Sequence, residues 1–122
     1  NRLMWALLNR LALALSGDIP GGVTAEECYL DLLAEFGAEV ETWRVPVKAL
    51  PALRGAYRVV QLVELLDNGQ CIAKVGVGSS SFDRGQMRDF IDRIFDRLSQ
   101  AGVDDAETTQ QYRDWRRADE LH

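Results

Sequence analysis

The sequence predicts an α+β fold: a three-stranded antiparallel sheet packed with helices, in the order α-α-β-β-β-α-α. Three observations predict it. Asn68-Gly69 stands between two apolar runs within residues 57–78, and a type I′ hairpin turn needs positive φ at both central positions. Residues 39–47 alternate apolar and polar side chains, the period of a half-buried strand. Residues 24–36 and 83–100 carry apolar residues at helical spacing behind polar caps.

The elements follow in order. Residues 2–16 predict a helix stopped by Gly17. Its apolar residues, among them Leu3, Met4, Trp5, Leu7, Leu8 and Leu11, run nearly all round, so it is expected to be covered on more than one side. Such a helix either lies across the open sheet face or docks on a second chain. At about 13 apolar residues it is short of the roughly 20 that span a bilayer, and Asn9-Arg10 interrupts it as a signal peptide. Gly17-Asp18-Ile19-Pro20-Gly21-Gly22 is a breaker.

The second helix opens on Thr24-Ala25-Glu26-Glu27, a capping box in which the Thr24 hydroxyl and the Glu27 carboxylate each accept the other's backbone N–H. Val23 and Cys28 are placed as a hydrophobic staple. Tyr29, Leu32, Leu33 and Phe36 form its stripe, and Gly37 is suited to the position after its end. In the first strand Trp43 and Val45 face inward, and Pro46 ends the pairing or keeps it at an edge. Residues 50–55 read as a loop or short turn. In the third predicted helix, residues 83–100, Met87, Phe90, Ile91, Ile94, Phe95 and Leu98 form the stripe, with Asp83 as N-cap and Gln86 three residues on. Residues 104–121 predict a polar helix anchored by Tyr112 and Trp115.

With Asn68 and Gly69 as the loop, Asp67 faces Gln70, and the register runs on two by two. Leu66 meets Cys71, Glu64 meets Ala73, Leu62 meets Val75 and Val60 meets Val77, on the expected core face. The other face pairs Leu65 with Ile72, Val63 with Lys74 and Gln61 with Gly76. Val63, Leu65 and Ile72 then form an apolar patch at its turn end.

The chain has 122 residues, enough for one domain (1–122) with its own core: an apolar helix over 1–16, an α-β-β-β-α core over 24–98 and a C-terminal helix over 104–121. Composition, 47% hydrophobic and 27% charged, is that of a globular protein. The net charge of −5 opposes general nucleic-acid binding, which draws most of its affinity from phosphate neutralisation. The two cysteines, Cys28 and Cys71, read as small buried hydrophobes, which fits a reducing, intracellular and cytoplasmic location. The single histidine, His122, is the last residue, so neither a histidine triad nor a histidine metal cluster is expected. Asn1 in place of methionine is expected of a chain cut from a longer polypeptide or of a processed one.

The glycine-serine run 76–81 lies between a strand and a helix, where backbone N–H groups attract anions, but it lacks the Lys-Ser/Thr of a P-loop and the third glycine of a dinucleotide fingerprint. It reads as a flexible connection. Arg84, Arg88, Arg93 and Arg97 are interleaved with Asp83, Asp89, Asp92 and Asp96, and spacing pairs Asp89 with Arg93 and Arg88 with Asp92. Arg84 and Arg88, near the helix start, are then the cations left to meet a phosphate. Serines 79 to 81 have no histidine to activate them, so no enzyme, cofactor or metal is expected.

Residues 24–98 resemble a double-stranded-RNA-binding domain, whose order is α-β-β-β-α. Glu27-Cys28-Tyr29-Leu30-Asp31-Leu32-Leu33 is similar to that family's first helix, and Ala73-Lys74-Val75-Gly76-Val77-Gly78-Ser79-Ser80 to its Gly-x-Gly-x-Ser entry into the last helix. The resemblance implies a duplex-RNA surface at Lys74, Ser79, Ser80, Arg84 and Arg88. Where the family places lysines after that serine, to bridge phosphates across the major groove, this chain has Ser81, Phe82 and Asp83. Its Gly-Pro-x-His loop between the first two strands has no counterpart in residues 50–57. The resemblance therefore implies a degenerate member serving as a protein-binding or self-pairing module.

The expectation is a non-catalytic protein-interaction or dimerisation domain of a larger RNA-processing or regulatory protein, with Val63, Leu65, Ile72, Trp5 and Leu8 at the interface. Its partner is a protein or a second copy of itself, with no membrane. A true duplex-RNA binder and a small acidic chaperone or immunity-type inhibitor are the alternatives.

Overall fold

The computed structural model describes residues 1–17, 19 and 21–121; Asp18 and Pro20 of the expected breaker, and His122, lie outside them. Five helices and three strands alternate as α1 (Arg2–Leu15), α2 (Ala25–Phe36), β1 (Val40–Pro46), α3 (Leu50–Ala56), β2 (Val59–Leu65), β3 (Gln70–Gly76), α4 (Arg84–Gln100) and α5 (Ala106–Glu120). This is the expected α+β class with one helix more. No helix among the described residues is long and apolar enough to cross a membrane. The chain parts into two compact units, Asn1–Tyr29 with Ile91–His122, and Leu30–Phe90.

In the first unit α1 starts on Asn1, whose side chain accepts from the Met4 N–H at 3.1 Å. It buries Met4, Leu7, Leu8, Leu11 and Ala12, a single stripe at helical spacing. The all-round cover expected from composition is thus not used: Leu13 and Leu15 stand about half exposed. Gly17 follows at φ +59°, the left-handed conformation that ends the helix. α1 lies against α5, and the Trp5 and Tyr29 rings meet with centroids 4.9 Å apart. The capping box at α2 forms as expected, Glu27 N–H to Thr24 Oγ1 at 3.1 Å and Thr24 N–H to Glu27 Oε2 at 2.9 Å. Ile91, Ile94 and Leu98 are buried along α4.

The second unit holds the sheet, whose order is β1-β3-β2 with both pairs antiparallel. A meander would have placed β2 in the middle; here the third strand separates the first two. The connection from β1 to β2 is the stretch expected as a loop. Pro51 stands in the first turn of α3, where its missing N–H costs no bond. Leu50, Leu53 and Tyr57 then pack on Cys71, Ala73 and Val75, beside Trp43, Val45 and Val60. Burying Leu50 alone contributes about 1.5–3 kcal/mol, enough to hold a helix too short to stand by itself.

The hairpin turn is the one Asn68-Gly69 calls for, with φ of 63° and 70°, and the Gln70 N–H donates to the Asp67 carbonyl. The register is not the expected one. The Leu66 N–H donates to the Gln70 carbonyl at 2.8 Å, one residue out of step. A second irregularity, between Leu62 and Glu64, adds another. The pairs are Leu65 with Cys71, Glu64 with Ile72, Leu62 with Ala73, Gln61 with Lys74 and Val60 with Val75. The shift at the turn sets Glu64 opposite Ile72, off the Cys71–Ala73–Val75 face, and Leu65 opposite Cys71; the bulge at Val63 then sets Leu62 opposite Ala73. The physical reason lies at the turn: Gly69, left-handed at φ 70°, takes a third residue into the loop, so the ladder starts from Leu66 and Gln70 rather than from Asp67 and Gln70.

Candidate functional site

β1 and β2 are both edge strands, with β3 as their shared neighbour. An edge leaves a row of backbone N–H and C=O groups without a strand partner, and proteins guard such rows with charge, proline or bulges. β1 is guarded: Glu41 and Arg44 are exposed along it, and Pro46 closes it. β2 carries one charge, Glu64, and presents Leu62, Val63 and Leu65 at 41%, 53% and 65% exposure. Sequence reasoning placed Leu62 in the core, because a strand position alone does not tell whether anything lies above it.

The expected interface residues are not brought together as one patch. Val63 and Leu65 lie on the β2 edge, but Leu65 shares a face with Cys71 while Ile72, paired with Arg44 and Glu64, lies on the other. The one-residue shift at the turn splits them. Trp5 and Leu8 belong to the other compact unit. Trp5 is half-buried against Tyr29, and Leu8, fully buried in α1, has no surface to offer a partner.

The cationic candidates are also placed. Lys74 is half-buried in the central strand, between Thr42 and Gln61. Ser79 is buried and Ser80 exposed in a short 3-10 turn, where the Ser81 hydroxyl donates to the Gly78 carbonyl at 3.1 Å and the Phe82 N–H to the Ser79 carbonyl at 3.0 Å. The connection thus carries bonds of its own. The Arg88 Nε lies 3.8 Å from Asp89 rather than against Asp92, and Arg84 is likewise engaged within the fold. The Asp83–Gln86 box caps α4 as expected, with N–H to side-chain distances of 2.8 and 3.0 Å.

Two polar clusters in the first unit escaped sequence reading, because each joins residues far apart in the chain. Asp105 caps α5, its Oδ2 accepting the Thr108 N–H at 3.0 Å, while its Oδ1 takes Arg10 Nε at 3.1 Å. The Thr108 bonds, with Arg10 adding to them, hold its carboxyl down at about 2. Asp92 accepts the Tyr112 hydroxyl at 2.6 Å and lies 3.3 Å from Arg116 Nε, and the Tyr112 ring stacks on Phe95. Burial and the Asp92 carboxylate push the phenol up to about 12. Cys28 and Cys71 are both buried, and among the described residues no group of three His, Cys, Asp or Glu side chains is placed to hold a metal. Set against known protein families, curated proteins and solved structures, the chain matches none of them.

Proposed function

We propose that this chain is a non-catalytic dimerisation domain that pairs with a second copy of itself along β2. The observation that carries the reading is the contrast between the two sheet edges. One is charged and closed by proline; the other exposes Leu62, Val63 and Leu65 beside its unpaired backbone row. An added strand would satisfy that row and cover the three side chains at once. In an antiparallel pairing centred on Leu62, Glu64 lies opposite Val60 of the second copy, so no like charges meet across the seam.

Sedimentation velocity over a concentration series tests it. A concentration-dependent dimer, returned to monomer by Leu65→Lys with the far-UV spectrum unchanged, is the expected result. A chain monomeric at every concentration, or a dimer indifferent to Leu65→Lys, overturns the proposal. Duplex RNA is the control ligand: with a net charge of −5 no binding is expected at physiological salt, and micromolar, salt-sensitive binding would instead favour the RNA reading.

A further inference from the structure

The geometry points to a pocket for an arginine side chain of a basic protein partner, at the end of the sheet where Val40 pairs with Gly76. Glu41 and Trp43 alternate along β1, which sets them on one face with Glu41 opposite Val75, and Glu39 stands in the turn just before the strand. The Tyr57 ring meets the Trp43 ring edge-on, with centroids 5.5 Å apart and planes at 87°, so two aromatic walls stand at a right angle. An open cavity of about 430 Å³ lies against them, with buried Val75 and Gly76 in its lining and exposed Glu39 and Glu41 at its rim.

Its chemistry is one-sided. The one donor of the indole, Nε1, is already spent on Glu41 Oε2 at 2.9 Å, which also fixes that carboxylate beside the ring. What remains for a ligand is π faces, the Tyr57 hydroxyl, a second Glu41 oxygen and the Glu39 carboxylate: one neutral donor among acceptors and negative charge, with no side-chain cation in the lining. A cation is therefore the guest. Guanidinium fits better than ammonium, because it is planar, weakly hydrated, stacks on an aromatic face and donates a two-pronged bond to a carboxylate. The net charge of −5 draws in a basic segment before contact is made. The pocket is independent of the β2 edge: its walls come from β1, β3 and Tyr57, so the failure of either proposal leaves the other standing.

Nuclear magnetic resonance on the full chain tests it, using a blocked five-residue peptide of alanines with a central arginine, and its lysine and glutamine counterparts. The expected result is a saturable shift of the Trp43 indole N–H, distinct from those of Trp5 and Trp115. The arginine peptide binds at least about threefold more tightly than lysine, and the glutamine peptide leaves the signal in place. Glu41→Gln, at an exposed position that folding does not depend on, weakens the arginine peptide at least about threefold. Equal shifts from the glutamine peptide, or an affinity unchanged by both Glu41→Gln and Glu39→Gln, overturn the pocket; lysine binding as tightly as arginine overturns the guanidinium assignment.

Discussion

The Tyr112 ring lies flat on that of Phe95, centroids 4.0 Å apart and planes within 6°, and its hydroxyl reaches past the stack to Asp92. One side chain thus holds α5 to α4 twice, by ring and by hydroxyl. The two parts separate by substitution. Tyr112→Phe removes only the hydroxyl and, since Asp92 keeps Arg116, is expected to cost about 0.5–1.5 kcal/mol in urea unfolding. Tyr112→Ala removes the stack as well and is expected to cost at least twice as much.

The same hydroxyl gives an alkaline signature. Its ordinary value is 10.0 and the folded value about 12, so the folded chain holds this proton more tightly than the unfolded one. The stabilisation is complete below pH 10 and is lost as the pH rises towards 12. Absorbance titration should show a phenol ionising at about pH 12 that Tyr112→Phe removes, and the same substitution should flatten the fall in melting temperature across that window.

Asp105 gives the acid counterpart. Its carboxyl sits at about 2 against an ordinary 3.8, so its contribution is present above pH 3.8 and lost as the pH falls through 2. Asn still caps a helix but takes no charge-assisted bond from Arg10. Asp105→Asn is therefore expected to melt a few degrees lower at pH 7 and to lose less than the wild type between pH 4 and pH 2. Its side chain is 40% exposed, so added salt should narrow the gap.

Two glycines are expected to respond in opposite senses to alanine. A Cβ on Gly76 would stand 2.4 Å from the Glu39 carbonyl oxygen and 2.8 Å from the Val40 Cα, backbone that cannot move aside without parting β1 from β3. Gly76→Ala should cost about 1–3 kcal/mol or more. Gly55, inside α3, meets nothing within 4 Å, and Gly55→Ala should gain about 0.5–1 kcal/mol by lowering the freedom of the unfolded chain. Denaturant midpoints of the two variants decide both.

What could be read from the sequence was local. The Thr24–Glu27 and Asp83–Gln86 caps, the left-handed Asn68-Gly69 turn and the stripes of α2 and α4 depend on neighbours within a turn or two of chain, and they formed as read. What escaped depends on distant partners. Pro51 and Gly55 disguise α3, which exists because Leu50 and Leu53 find the Cys71–Val75 face. The third residue of the turn and the bulge at Val63 each shift the register by one residue, and neither leaves a signature in the alternation of the two strands. The Trp43–Tyr57 corner joins residues on either side of α3, so no spacing rule could bring it forward.

Strand order has a last consequence, for time rather than space. Each outer strand bonds to β3 alone, and β3 is the last of the three to be made. While a ribosome is still adding residues before Gln70, no ladder of this sheet can exist, and β1 and β2 wait as separate segments without a strand to bond. The nascent chain is therefore most exposed to mispairing, above all at the apolar β2, just before its middle strand arrives, and a stall at that point would leave two strands with nothing to join them.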